Sequence, residues 1–101
     1  MARVVRTAAA DRDLLAIADY GAERWGVDAA IDFIRGFETT FTLLEAHPDI
    51  GRERSELGED IRSWLDRTYV LYYAYIGDEV LIGRTLHGAA DPSAGLDLRN
   101  P

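Results

Sequence analysis

The sequence contains no cysteine, its positive residues include no lysine, and it has no long apolar run. Without cysteine there can be no disulfide framework and no thiolate metal site, so packing alone must hold the fold. No segment approaches the roughly 18 apolar residues of a membrane span. Residues 1–6 also lack the apolar stretch of a signal peptide. We therefore expect a cytoplasmic protein with no membrane partner.

Positive charge is scarce. Eleven basic residues, all arginine, stand against 18 acidic residues, and the net charge is −7. This balance argues against a protein that grips nucleic acid through a broad basic face. The planar guanidinium suits bidentate contacts to carboxylate or phosphate, although a coding bias toward arginine explains the composition equally well. Thirteen of the acids fall within residues 8–60, so the acidity is concentrated in one segment.

The length of 101 residues and the hydrophobic share of 48% fit one domain spanning residues 1–101. Thr7 is a plausible N-cap for a first helix, whose apolar stripe extends to Trp25. Asp28 is the expected N-cap of a second helix, which should end near His47 because Pro48 disfavours helical geometry in the residue before it. Its apolar residues recur at helical spacing, at Ala30, Ile34, Phe37, Phe41 and Leu44. With so short a connection, the two helices should form an antiparallel hairpin.

The remaining segments are rich in β-branched and aromatic residues and predict strands at residues 2–6, 62–65, 68–76 and 80–87. Gly77-Asp78 fits a tight hairpin turn between the last two strands. Both faces of the strand over 68–76 are substantially apolar, which is typical of a central strand. The sequence thus predicts an α+β domain, a helical hairpin packed on a small antiparallel sheet in the order β-α-α-β-β-β, followed by an irregular tail over residues 88–101.

Six segments of the chain follow one another in a familiar order. They are AAADRDL at 8–14, Tyr20 with ERWG at 23–26, HPDIGR at 47–52, Arg62, YVLYY at 69–73 and VLIGRTLHG at 80–88. In this order and spacing they resemble the ParE toxins of the RelE/ParE superfamily, over residues 3–92. No single segment is specific, and their combination carries the resemblance.

The resemblance implies the toxin of a bacterial type II toxin-antitoxin system, neutralised by a cognate ParD-like antitoxin that wraps a disordered C-terminal segment around it. For ParE members it implies inhibition of DNA gyrase without chemistry by the toxin, and no cofactor. Direct contact with nucleic acid is then expected only through the antitoxin. RelE members of the same superfamily instead cut mRNA in the ribosome.

A RelE-like endoribonuclease is the alternative, and it would need cationic groups together with a proton-transfer residue. Arg62, Arg84 and His87 are the candidates, since all three lie on predicted strands and could converge on one sheet face. However, no tyrosine follows Tyr75, and the C-terminal tyrosine or basic cluster implied by a RelE resemblance is missing. The structural alternative is that His87 hydrogen-bonds its own neighbourhood and that Arg84 pairs with a nearby carboxylate such as Asp91.

The ParE branch, whose members act without catalysing a reaction, is therefore favoured, and we predict no catalytic residues. Ala89 and Ala90 stand where the family usually has basic or polar residues, which leaves a third possibility open. The chain would then be a non-toxic homologue that only binds antitoxin.

Arginine and tyrosine side chains are the candidates for antitoxin binding. The predicted contacts are Arg52, Arg54, Tyr69, Tyr73 and Tyr75. The two arginines lie in a polar loop, where Glu53 and Glu56 could equally serve as local counter-charges in solvent. The aromatic residues could equally be core or be covered by the tail. No metal site is predicted, since the two histidines lie far apart in sequence.

Overall fold

The computed structural model describes residues 2–93, in which two helices pack on one face of a five-stranded sheet. The predicted α+β class and its helical hairpin are confirmed. In chain order the elements are β1 (Arg3–Arg6), α1 (Ala8–Trp25), α2 (Val27–Ala46), β2 (Arg52–Glu53), β3 (Ile61–Asp66), β4 (Tyr69–Ile76) and β5 (Glu79–His87). Residues 94–101 of the predicted tail lie outside the described residues.

The strand order in the sheet is β1-β5-β4-β3-β2. Strands β3 to β5 pair antiparallel, as predicted. The prediction of an antiparallel sheet was wrong for β1, which pairs parallel to β5 with Arg3 opposite Glu79. Strand β2 is an addition to the predicted elements, because Arg52 and Glu53 pair with β3 at one edge of the sheet. The central position of β4 explains why both of its faces are apolar.

Thr7 joins the first helix to the last strand. Its hydroxyl oxygen accepts a hydrogen bond from the Ala10 N–H at 3.0 Å, which confirms the predicted N-cap. The same hydroxyl donates to the Gly83 carbonyl at 2.9 Å. Gly83 is an extra residue in β5, because Tyr72 opposes Arg84 whereas Tyr73 opposes Ile82. One buried side chain therefore caps α1 and fixes it to the β5 bulge.

The hairpin between the helices consists of Gly26 alone. This glycine has a φ of 93°, in the region that favours glycine, and it is both the C-cap of α1 and the N-cap of α2. The prediction of Asp28 as N-cap was wrong, because the one-residue turn lets α2 begin at Val27. Asp28 lies in the first turn, where its carboxylate still interacts favourably with the helix dipole.

The core lies between the helical hairpin and the sheet. α2 ends at Ala46 with His47 as its C-cap, as the following proline predicts. Phe37 and Leu44 of α2 pack with Leu71 and Tyr73 of β4, and all four are fully buried. The core cluster also includes Ala2, Ala10, Ile17, Val80 and Ile82. The apolar stripes predicted for the two helices are therefore the surfaces that cover the sheet.

The β3–β4 turn is held against α2 by Arg67. Its guanidinium donates to the Asp66 carboxylate at 2.7 Å and to the Phe33 carbonyl at 2.8 Å. It also lies 4.0 Å from the centroid of the Phe33 ring, within cation–π distance. The Asp66 carboxylate in turn accepts from the Thr40 hydroxyl at 2.7 Å. These contacts fix the turn end of the sheet to the second helix.

Candidate partner-binding site

Within residues 2–93, no helix covers the sheet face opposite the hairpin, which we call the outer sheet face, although Tyr72 and Ser63 at its centre are buried. The strand register places its members in two neighbouring rows across β3, β4 and β5, with Arg52 of β2 at the edge. The members are Arg52, Ser63, Leu65, Val70, Tyr72, Arg84 and Leu86. Leu65 is 66% exposed, and a shallow groove of about 470 Å³ lies beside it. Leu65, with the half-buried Val70 and Leu86 in the same row, therefore presents an apolar patch to a partner.

Two arginines border the outer sheet face, and they differ in their contacts. Arg54 donates to the Glu56 carboxylate at 2.8 Å, which raises the pKa of the guanidinium, and it lies 5.7 Å from the Tyr72 ring centroid. Arg52 is exposed and makes no side-chain hydrogen bond or ion pair within residues 2–93. Arg54 is thus already paired with Glu56 and lies near the Tyr72 ring, while Arg52 is available to an anionic partner.

A second depression, which we call the aromatic groove, lies at the hairpin end of the helices. Its volume is about 590 Å³, and its lining consists of Tyr20, Trp25, Phe33, Arg67, Thr68, Tyr69 and His87. The rings touch in sequence, with Trp25 5.9 Å from Phe33 and Phe33 5.9 Å from Tyr69 between ring centroids. Edge-to-face and tilted contacts of this kind hold aromatic side chains in fixed positions. The groove is therefore a preformed apolar surface.

The five predicted antitoxin contacts do not share one surface. Tyr69 lies on the helix side, in the aromatic groove, and the exposed Tyr75 lies near the far end of β4. Tyr73 is fully buried in the core, where its hydroxyl accepts a hydrogen bond from the Gly51 N–H at 2.9 Å. A partner docked on the surface cannot reach it. The prediction that Tyr73 is a contact residue is corrected accordingly.

The candidate nuclease residue Arg84 is held by Asp13 of α1. Two guanidinium nitrogens donate to the carboxylate at 2.7 and 2.9 Å, and the Thr85 N–H donates to it at 2.9 Å. The hydrogen bond with Asp13 raises the pKa of Arg84. Asp13 thereby covers the part of the β5 edge that β1 does not reach. The predicted pairing with Asp91 was wrong, since Asp91 instead accepts hydrogen bonds from Ser93.

Arg62 and His87, the other two nuclease candidates, lie elsewhere. Arg62 donates to the carbonyl oxygens of Asp49 and Gly51 at 3.0 and 2.8 Å, in the segment between α2 and β2. His87 packs edge-to-face on Tyr69 and accepts from the Ala89 N–H at 3.2 Å, as its structural interpretation predicts. The structure therefore does not bring Arg62, Arg84 and His87 together on one sheet face.

Comparisons with known proteins identify the family. The model of the family described as "ParE toxin of type II toxin-antitoxin system, parDE" matches residues 4–92. The chain belongs to this ParE family. The match includes every helix and strand except the first residue of β1, so the whole described fold is that of the family.

Several curated ParE toxins are similar to the chain along nearly their whole length. Toxin ParE1 of Caulobacter vibrioides is 33% identical, over 93% of this chain and 95% of that toxin. Toxin ParE1 of Mycobacterium tuberculosis is 30% identical, over 93% of this chain and 97% of that toxin. A solved structure described as the chromosomal ParDE TA system from P. aeruginosa shares the fold, with a TM-score of 0.74 and 22% identity, and covers 86% of this chain and 96% of its own.

Sequence reasoning missed three features of this ParE-family chain. Asp13 was not recognised as the partner of Arg84, since 71 residues separate them. Trp25 was expected to be largely core by its helical spacing, yet it is 57% exposed. The available signal was that Trp25 directly precedes Gly26, the C-cap of α1. The last residue of a helix can lie beyond the sheet surface that the helix covers. The Arg67 contacts had no sequence signal.

The structure also bears on a membrane-spanning segment and on a metal site. Neither helix within residues 2–93 is long and apolar enough to cross a membrane. In the same part of the chain, no cluster of three or more histidine, aspartate and glutamate side chains is arranged to hold a metal ion.

Proposed function

We propose that this ParE-family chain is a cytoplasmic toxin that a cognate ParD-like antitoxin neutralises, and that its target is DNA gyrase. The observation that carries the proposal is the family match over residues 4–92, in a chain whose fold agrees with it throughout. The toxin acts by binding. In support of this, Arg84 and Arg62 are engaged by Asp13 and by loop carbonyls, on different elements.

The outer sheet face is the proposed main contact for the antitoxin. Its exposed Leu65 offers apolar area, and beside it Arg52 offers a cation that forms no ion pair with the rest of residues 2–93. An antitoxin segment with both apolar and acidic side chains would bury the apolar ones against Leu65 and pair the acidic ones with Arg52. Arg54, already held by Glu56, contributes at the border of the same face. Tyr69 and Tyr75 stay predicted contacts. An antitoxin segment that wraps around the toxin would reach them on the other side of the sheet.

Antitoxin binding is tested by co-purification with the product of the adjacent small reading frame. The wild-type chain should retain the antitoxin, and R52E combined with L65S should weaken binding by about a hundredfold, since a repulsive charge and a lost apolar contact each cost on the order of 1.4 kcal/mol. The matched control is R35E, which reverses an exposed arginine on α2. Wild-type chains that fail to associate with the antitoxin would refute this part of the proposal.

The target is tested with purified gyrase in a DNA supercoiling assay. Wild-type protein should inhibit supercoiling or trap cleaved DNA, and an absence of effect at micromolar excess would exclude gyrase as the target. A translating extract checks the alternative activity. Codon-placed mRNA cuts that disappear in R84A and H87A would favour the endoribonuclease, and neither activity would favour the non-toxic homologue.

A further inference from the structure

The tip of the helical hairpin exposes large apolar side chains that no other element of the described residues 2–93 covers. Trp25 is 57% exposed, Val27 64% and Ile31 43%, and all three lie within five residues of the Gly26 turn. We call Tyr20, Trp25, Val27 and Ile31, with the charged residues between 19 and 32, the hairpin tip. Scattered single apolar residues on a surface are ordinary, but a cluster at one end of a small domain is typical of a contact surface.

The aromatic side chains of the hairpin tip are held in place. Trp25 contacts Tyr20 edge-to-face at 6.2 Å and Phe33 at 5.9 Å, and the aromatic groove continues from them toward Tyr69. The Arg24 guanidinium lies 4.9 Å from the Tyr20 ring centroid. A rigid aromatic surface loses little side-chain entropy when a partner covers it, so it is suited to binding.

The charge of the hairpin tip is negative and uncompensated. Asp19, Glu23, Asp28 and Asp32 are exposed, and none of the four forms an ion pair within residues 2–93. The same segment contains one guanidinium, that of Arg24. All four carboxylates lie within seven residues of Gly26, about two helical turns along either helix. The charges therefore surround the exposed apolar side chains.

We propose that the hairpin tip is the toxin's contact with its target, and that it docks on a cationic, partly apolar surface of the target. This inference rests on the proposed function, in which the target is gyrase. An enzyme that acts on DNA must present lysine and arginine side chains to the phosphates. The carboxylates of the tip match such a surface in charge, and Trp25, Val27 and Ile31 supply the apolar contact.

The position of the tip separates the target contact from the main antitoxin contact. The hairpin covers one face of the sheet, and the outer sheet face lies on the opposite side, with Arg52 and Leu65. The two surfaces also differ in sign, since the tip is anionic and the outer sheet face has a free cation at its edge. An acidic antitoxin segment therefore fits the outer face, and a basic target surface fits the tip.

The test compares two double variants that remove the same charge in the gyrase supercoiling assay. D28N/D32N neutralises two tip carboxylates, and E38Q/E59Q neutralises two exposed carboxylates elsewhere. We expect D28N/D32N to require about tenfold more protein for half inhibition, equivalent to the loss of about 1.4 kcal/mol, and the control to stay within about twofold of wild type. A third variant, V27S/I31S, tests the apolar contact and should weaken inhibition similarly.

Antitoxin co-purification serves as the folding control, since each variant should still bind antitoxin as wild type does. Inhibition by wild type should also weaken as salt rises, and less steeply for D28N/D32N. If D28N/D32N and V27S/I31S inhibit as strongly as wild type while wild type inhibits gyrase, the tip is not the contact and the proposed function stands. If wild type binds antitoxin but does not affect gyrase, the proposed target fails and the docking surface with it.

Discussion

Tyr73 shows how one buried polar atom can position a connection between elements. Its hydroxyl accepts the Gly51 N–H, in the segment that leads from α2 to β2, while the ring lies in the core. Burial raises the pKa of the Tyr73 phenol above its ordinary value of 10.0, and the Gly51 hydrogen bond acts in the opposite direction. Tyr73 thus fixes the segment that leads into the edge strand β2. Its role is structural, whereas the sequence predicted a contact with the antitoxin.

We expect the free energy of unfolding to fall as pH rises above about 10, because the phenol ionises earlier in the unfolded chain than in the folded one. This contribution is fully present below the unfolded pKa and is lost as the pH rises through the folded pKa. Y73F lacks it and should be destabilised by about 1 kcal/mol at neutral pH. Urea unfolding measured between about pH 8 and 11 checks both effects, with the exposed Tyr75, as Y75F, for control. An unchanged pH slope in Y73F would contradict this assignment.

Thr7 allows a second test at this scale. T7V keeps the shape of the side chain but removes both the N-cap to Ala10 and the donor to Gly83. We expect a loss of about 1–3 kcal/mol in chemical denaturation, and a smaller loss for T7S, which retains the hydroxyl. A loss in T7S that is larger than the loss in T7V would mean that the methyl group, rather than the hydroxyl, matters at this position.

The roles that could be predicted were those of residues whose partners lie close to them in the sequence. The Thr7 cap and the Gly77-Asp78 turn depend on neighbours in sequence, and both were predicted correctly. The partner of Arg84 was not predictable in this way, because Asp13 reaches it only after α1 has packed across the β5 edge. Long-range pairs depend on the assembled fold, which no single spacing along the chain reveals.

Among the elements, α2 and the β3–β4 turn form a coupled unit. Gly36 lies in the middle of α2, and a Cβ added there would meet the Arg67 guanidinium at 2.8 Å. That guanidinium is held by the Phe33 carbonyl and by Asp66. The glycine therefore makes room for the arginine that fastens the turn to the helix.

This arrangement predicts a change of sign in a double-mutant cycle. G36A alone should be neutral or destabilising, because the gain in helix propensity is offset by displacement of Arg67. In an R67A background the obstacle is gone, and G36A should stabilise by about 0.5–1 kcal/mol. Thermal or urea unfolding of the four proteins measures the cycle. A stabilising G36A in both backgrounds would show that Arg67 moves aside without cost.

The elements themselves differed in how far their sequences predicted them. The stripe in α2 is long and periodic, so its buried face was predicted with Ala30, Phe37 and Leu44 in place. Strand β2 has two residues and cannot show an alternating pattern, and it forms only because β3 offers it an edge. The parallel pairing of β1 likewise follows from the path of the helices and not from its own four residues.

For the whole molecule, the net charge of −7 is unevenly distributed between two candidate surfaces. Variants of the outer sheet face and of the hairpin tip should therefore separate the two activities. R52E/L65S should still inhibit gyrase yet arrest growth even when antitoxin is co-expressed, whereas D28N/D32N should bind antitoxin and permit growth without it. Colony counts with each gene induced alone and together measure this. Loss of both activities in each variant would contradict two independent surfaces.

The site was less predictable than the fold. Arg52 and Arg54 were singled out by residue type, and the structure adds that they border one face and differ in freedom. The hairpin tip was not predicted, because exposure of Trp25 depends on where the sheet stops and not on helical spacing. Burial of Tyr73 was hidden for a different reason, since either face of a two-sided apolar strand can be the core.

The pairing of β1 with β5 also determines when the fold can be completed. Arg3 lies opposite Glu79, and Thr7 holds Gly83, so contacts 76 residues apart close the sheet and cap the first helix. Such distant contacts form late and slowly. A chain whose synthesis stops before β5 has no partner for its first strand and no strand to which Thr7 can fix α1. Interrupted translation therefore leaves fragments that cannot complete the sheet, and only a finished chain can adopt the whole fold.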